Sequence, residues 1–272
     1  MVTCLLCKKD KVKFIAPLKE KYDWLVYPEE VNIYDCENCD TRFIDPLLNI
    51  DYNFIYEKTG IYYNEFERVR RLKLQEDPSW DILSRGHPYY GVFDFIKGKK
   101  NLEILDIGCG YGGLVFVLNI MGHKAIGLEV SRQAVYFAAG LFGDNYFQLD
   151  IDSFIEQNPD KKYDLLISIE VIEHLNNPMD FVKKCISCLK DNGSLLITTP
   201  NKDYNQISES RKQYQSDWIM DKPPVHLAIY GKKAMEYIAS ETKTKVSYTD
   251  FPGLAEITGP LNLVAIFQKD AI

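Results

Sequence analysis

Between Leu102 and Gly113 the chain reads Leu-Glu-Ile-Leu-Asp-Ile-Gly-Cys-Gly-Tyr-Gly-Gly, an apolar run that meets an acid, Asp106, and then a turn of glycines. A strand passing directly into a helix needs residues without a Cβ where the backbone turns and approaches a ligand, which makes Gly108, Gly110 and Gly112 the framework of a nucleotide-type cofactor loop. Gly108, Gly110 and Gly113 also satisfy the dinucleotide fingerprint, with Glu129 at the tip of the next apolar run in the position of its ribose-binding acid. Asp106 argues against that reading, because phosphate binding gains nothing from a carboxylate there.

A second set of reactive residues lies at the front of the chain. Four of the seven cysteines form Cys4-Leu-Leu-Cys7 and Cys36-Glu-Asn-Cys39. Each Cys-x-x-Cys turn can offer two thiolates, and a pair of them suits tetrahedral zinc; reduced free thiols are the other reading. Lys8 and Asp40 follow the second cysteines, where glycine is frequent. Cys185 and Cys188 share the spacing but lie in an amphipathic stretch with Phe181, Val182, Ile186 and Leu189, where buried small residues are expected. Two histidines, His174 and His226, are candidates for general-base work, with Glu173 as an orienting carboxylate.

Elements must hold these residues in place. Apolar runs at His123–Glu129, Tyr146–Asp150, Tyr163–Ile169 and Ser194–Thr199 follow the glycine loop, three of them ending at or beside an acid, and helical segments separate them. Lys245–Phe251 and Leu263–Gln268 are expected to close the core as an antiparallel pair, and Val31–Tyr34 and Thr41–Ile44 to flank the second cysteine turn. The division expected is 1–45 as a zinc-ribbon-like module, 46–100 as a helical linker or lid rich in aromatics, and 101–272 as the catalytic core. The fold class is α/β, a Rossmann-like seven-stranded core with that small module in front.

Composition narrows the function. At 272 residues, 46% hydrophobic and 26% charged, the chain can bury a full core. Its net charge of −7 argues against coating duplex nucleic acid. The lysines of Lys8–Lys21 and the group Arg68, Arg70, Arg71 and Lys73 are solvated faces by default, though either could meet an anionic substrate group. With no long apolar run and no signal-type start, a cytoplasmic protein with no membrane contact is expected.

The Asp106-to-Gly113 loop and the later landmarks resemble class I S-adenosylmethionine-dependent methyltransferases. That resemblance implies that Asp106 holds the amino end of the methionine moiety, with Gly108, Cys109, Gly110 and Gly112 beside it. Glu129 and Val130 would meet the ribose side, Asp150 and Ile151 the adenine, and Glu170 and Val171 the floor. Glu170-Val-Ile-Glu-His-Leu175 is similar to the post-strand motif of ubiquinone-type O-methyltransferases. The cysteine turns, Tyr62-Tyr63, and Trp218, Pro223-Pro224, His226-Leu227 and Tyr230 resemble zinc-ribbon methyltransferases of bacterial polysaccharide and natural-product clusters. In that setting Tyr62 and Tyr63 approach the cofactor and the prolines hold His226 on a lid.

The function implied is methyl transfer to a hydroxyl of a small molecule or saccharide, with S-adenosylmethionine as cofactor and zinc as a structural ion. Two alternatives stand. Glu170, Glu173, His174 and a downstream histidine resemble the metal set of small-RNA 2′-O-methyltransferases, and a non-catalytic cofactor-binding module could dock a partner protein.

Overall fold

The computed structural model describes residues 1–18, 25, 28–55, 66–67, 69–70, 89–203, 226–249 and 262–269. Tyr62, Tyr63, Trp218, Pro223 and Pro224 lie outside them.

Three strands, β1 (Val12–Pro17), β2 (Asn32–Cys36) and β3 (Arg42–Asp45), form an antiparallel sheet behind the two cysteine turns. β1 falls within the lysine-rich run expected to be only a solvated face. It is an exposed edge strand whose Phe14 and Ile15 stay in solvent, so it lacks the alternation that betrays a half-buried strand. The cysteine turns repeat one geometry. The N–H of Lys8 donates to the Cys4 carbonyl, the N–H of Asp40 donates to that of Cys36, both at 2.9 Å, and Lys8 and Asp40 adopt φ of 58° and 60°. A non-glycine residue in that left-handed region costs about 1–2 kcal/mol. The turn thus imposes the conformation glycine would take freely.

The main sheet is built from β4 (Glu103–Ile107), β5 (Lys124–Leu128), β6 (Tyr146–Phe147), β7 (Tyr163–Ile169) and β8 (Leu189–Pro200). A two-residue strand, β9 (Ala228–Ile229), belongs instead to the cysteine sheet, pairing with β3 and placing Phe43 opposite Ala228. β10 (Thr244–Tyr248) and β11 (Asn262–Lys269) complete the seven-stranded order β10-β11-β8-β7-β4-β5-β6. The first five strands run parallel and β11 antiparallel, as the Rossmann-like reading expected. β4 has β5 on one side and β7 on the other, so the strand order reverses there and leaves a crevice at the carboxyl ends.

Helices cover both faces. Against one face lie α1 (Tyr89–Ile96), α2 (Gly113–Ile120) and α3 (Arg132–Phe142), whose Val92, Leu118 and Ala138 share one buried cluster. Against the other lie α4 (Ile151–Gln157), α5 (Pro178–Ser187) and α6 (Lys232–Thr242), which contribute Phe154, Phe181 and Met235. That second cluster also contains Cys4, Cys7, Cys36 and Cys39. The cysteine turns are therefore packed into the main core. Cys185 and Cys188 are buried there as expected. Among the described residues no helix is long and apolar enough to cross a membrane.

Candidate active site

Gly108, Gly110 and Gly112 have φ of 77°, 53° and 81°, so the turn from β4 into α2 uses the region that only glycine enters without strain. Space gives a second reason. A Cβ on Gly108 would stand 2.5 Å from Val171 Cγ2, and one on Gly112 would stand 2.4 Å from Tyr146 Cε1. Val171 thus packs directly onto the loop. Cys109 does not offer its thiol to the crevice: the side chain is buried against Gly127 of β5, where a Cβ would come within 2.5 Å of its Sγ. An isolated glycine inside a strand pattern is the sequence signal for such an approach, and Gly127 was overlooked.

Two acids line this loop from below. Glu129 is buried, and its two oxygens accept the N–H of Gly110 at 3.0 Å and of Ser131 at 2.8 Å. It clamps the glycine loop to the start of α3, and each oxygen keeps a lone pair for a further donor. Burial raises its pKa and the backbone N–H groups oppose the rise. Asp106 is equally buried; desolvation, then the nearby Glu129 carboxylate, push its pKa up to about 8. Two carboxylates in one dry recess favour a ligand carrying positive charge.

The remaining expected contacts lie along the same edge. Val130 is exposed beside Glu129. Asp150 caps α4, its Oδ1 accepting the Ser153 N–H at 2.8 Å, and the bonds from Ser153 lower its pKa. Ile151 turns into the core beneath it. Glu170 adopts φ of 54° at the end of β7, and its Oε1 accepts the Thr198 hydroxyl and the Asn262 amide, each at 3.1 Å.

Glu173, His174 and His226, separated by half a hundred residues, converge. One ligand atom from each lies within 4.8 Å of the others, the imidazole centroids are 4.9 Å apart, and His174 Nε2 is 3.8 Å from Glu173 Oε1. Glu173 is fully buried and its Oε2 accepts the Thr199 hydroxyl at 3.0 Å. The two histidines, weighed as separate candidates, form one site. What joins them is backbone: the Leu227 N–H donates to the Glu173 carbonyl at 2.7 Å. Glu170 stands outside this trio, engaged with Thr198 and Asn262.

The four cysteine sulfurs also gather within 4.8 Å, with Cys4–Cys39 at 3.6 Å and Cys7–Cys36 at 3.5 Å. Tetrahedral zinc with bonds of about 2.3 Å holds its sulfurs roughly 3.8 Å apart, so the set fits. The N–H groups of Leu6 and Cys7 point at Cys4, and those of Asn38 and Cys39 at Cys36. The Cys4 thiol, together with Thr41, lowers Cys39 to about 5, while that pairing and burial raise Cys4.

Comparison with known proteins agrees with this arrangement. A family model described as a methyltransferase domain matches residues 84–243. A ubiquinone biosynthesis O-methyltransferase of Rickettsia bellii is 30% identical over 205 residues, covering 70% of this chain and 82% of the relative. That of Rickettsia conorii is 29% identical, covering 66% of this chain and 63% of the relative's length. Among solved structures, a SAM-dependent methyltransferase from Archaeoglobus fulgidus superposes with a TM-score of 0.56 at 18% identity, covering 80% of this chain and all of the other. Magnesium protoporphyrin IX methyltransferase from Synechocystis with bound SAH gives 0.54 at 15% identity, covering 81% and 100%. These likenesses show the fold.

Proposed function

We infer the reaction from one premise: the chain belongs to the methyltransferase-domain family and is an S-adenosylmethionine-dependent methyltransferase. The acceptor atom is a hydroxyl oxygen on a small molecule or saccharide, and the Glu173, His174 and His226 trio takes its proton. The convergence of that trio beside the glycine loop carries the reading. The cofactor supplies a methyl group on a sulfonium, already a good leaving group, so the protein's share is positioning and removal of the acceptor proton. An imidazole suits that role at neutral pH, and the buried Glu173 carboxylate is placed to fix the ring of His174. The relatives' name, with its O-methyl transfer to a small molecule, supports a hydroxyl.

Asp106 would receive the amino end of the cofactor, Glu129 the ribose hydroxyls and Asp150 the adenine amine, with Tyr62 and Tyr63 of the 46–100 segment covering the cleft. Structural zinc would sit on Cys4, Cys7, Cys36 and Cys39. Cytoplasmic residence, where thiols stay reduced, fits that ligand set.

One observation favours a second reading. The same trio can hold a divalent cation, which would polarise the acceptor hydroxyl. The deciding experiment follows labelled methyl from S-adenosylmethionine into 3,4-dihydroxybenzoate, a nucleotide-linked deoxysugar and an RNA oligonucleotide. His174→Ala and His226→Ala should each lower turnover by about 10²–10⁴ with cofactor affinity unchanged. Activity abolished by EDTA and restored by Mg²⁺ selects the cation. Full activity in both variants, or label on nitrogen or carbon, overturns the proposal.

A further inference from the structure

Tyr230 stands between the two clusters that carry the chemistry. It is fully buried, and its ring belongs to the apolar cluster that contains the four cysteines and Ile172. Its hydroxyl donates at 3.2 Å to the carbonyl of Ile172, whose other bond, from the Leu175 N–H, is 3.4 Å long. Ile172 opens the 3₁₀ turn, Ile172–His174, that presents Glu173 and His174. Burial, and then the Glu173 carboxylate, raise the pKa of this phenol. A phenylalanine would fill the same space, so the hydroxyl is needed only for the bond to the turn.

The backbone around Tyr230 runs to the same two places. β9 immediately before it pairs with β3 of the cysteine sheet, and Leu227 is held on both sides, its N–H by the Glu173 carbonyl and its C=O by the Ile44 N–H at 3.1 Å. His226 precedes Leu227 and so is carried by the same clamp. The Tyr230 carbonyl accepts the N–H of Lys202, whose ammonium pairs with Asp40, the residue after Cys39. One route from the second cysteine turn to the histidine pair thus runs through this strand and its tyrosine.

We propose that Tyr230 is a positioning residue for methyl transfer, which couples the four-cysteine cluster to the placement of Glu173, His174 and His226. The inference rests on the reading of that trio as the proton-accepting group. The cysteine turns set the register of β3, β3 sets β9, and Tyr230 passes that register to the 3₁₀ turn; zinc, if bound by the four thiols, would hold those turns in place. A displacement of this kind changes the approach of the reacting atoms, while the cofactor loop keeps its own clamp, the Glu129 bonds to Gly110 and Ser131.

The test uses the full-length protein as purified with zinc, and Tyr230→Phe. Histidine is labelled with ¹³C at Cε1, and cross-peaks are assigned from single-histidine variants. In Tyr230→Phe, zinc content and S-adenosylmethionine affinity should stay at the wild-type value. The cross-peaks of His174 and His226 should move while that of His123, which accepts the Leu102 N–H at the opposite end of the sheet, stays. Turnover on 3,4-dihydroxybenzoate should fall on the order of tenfold or more with KM little changed, since small misplacement is expensive in rate. Releasing zinc from the wild type with a thiol-binding mercurial should move the same two peaks, which covers the case in which the variant does not fold.

Cross-peaks of His174 and His226 that remain in place after both treatments overturn the coupling, as does an equal movement of His123. The outcome is separable from that of the proposed reaction. If both histidine variants prove fully active and the peaks still move, the coupling stands and the base assignment fails.

Discussion

Cofactor affinity should depend on pH through Asp106. Desolvation, and then the Glu129 carboxylate, raise this carboxyl from 3.8 to about 8. At neutral pH the free site therefore holds a proton that a ligand bearing an ammonium group must displace. The bound state carries fewer protons than the free one, so affinity rises with pH up to about 8 and levels beyond it. Asp106 is about half ionised at pH 8 and about 1% ionised at pH 6, so apparent affinity should fall by tens of fold between them, about 2 kcal/mol.

Calorimetry with S-adenosylmethionine at several pH values, in buffers of different ionisation enthalpy, reads both the affinity and the protons released. Asp106→Asn should bind weakly with a flat profile, and adenosine, which lacks the amino-acid end, should give a flat profile on the wild type. The cofactor-free protein should also lose stability as pH rises from about 4 to about 8, because the folded state keeps a proton that the unfolded chain gives up. An affinity constant within twofold across that range, with no proton release, would refute the assignment of Asp106 to the amino end.

Glu129→Gln places an amide N–H₂ against the Gly110 or the Ser131 N–H, so cofactor affinity and melting temperature should both drop, by about 1–3 kcal/mol in calorimetry and thermal unfolding. Gly112→Ala meets Tyr146 at 2.4 Å and Ala138 at 2.8 Å at a φ of 81°, whereas Gly98→Ala, at 76°, meets nothing within 4 Å. Gly98→Ala should therefore cost only the left-handed strain of about 1–2 kcal/mol, and Gly112→Ala clearly more, in denaturant titrations. Protein purified without chelator should hold one equivalent of zinc by elemental analysis, and Cys39→Ser should lose it and lower the single unfolding transition of the whole molecule, because the cysteines share the main core. Two separate transitions would mean that the ribbon unfolds alone.

The parallel half of the sheet was legible because each strand is a short apolar run with an acid or turn at its carboxyl end, and Tyr163–Ile169 coincides with its expected span. The cysteine turns were equally plain, and Lys8 and Asp40 explain why the missing glycines were no obstacle. Local spacing could not reveal that His174 and His226 meet, since their approach depends on a two-residue strand pairing with β3 and on one bond from Leu227 to Glu173. Asp150 had a readable second role: an Asp three residues before a Ser at a helix start is a capping pattern, and its side chain accepts the Ser153 N–H at the start of α4. Cys109 sits at the right place in the loop, but it follows the end of β4 and its thiol packs against Gly127 of β5.

The pairing of β9 with β3 also has a bearing on biosynthesis. Both cysteine turns and three strands of their sheet are made well before the strand that covers the edge of β3, which follows most of the main sheet in the chain. At ribosomal speeds of about 5–20 residues per second that edge waits on the order of ten seconds or more with its N–H and C=O groups unpaired. An open edge of this kind invites pairing with neighbouring nascent chains. Metal captured early by the finished cysteine turns would hold the sheet short and twisted through that interval, so zinc supply during translation should govern the yield of native protein more than zinc supply afterwards.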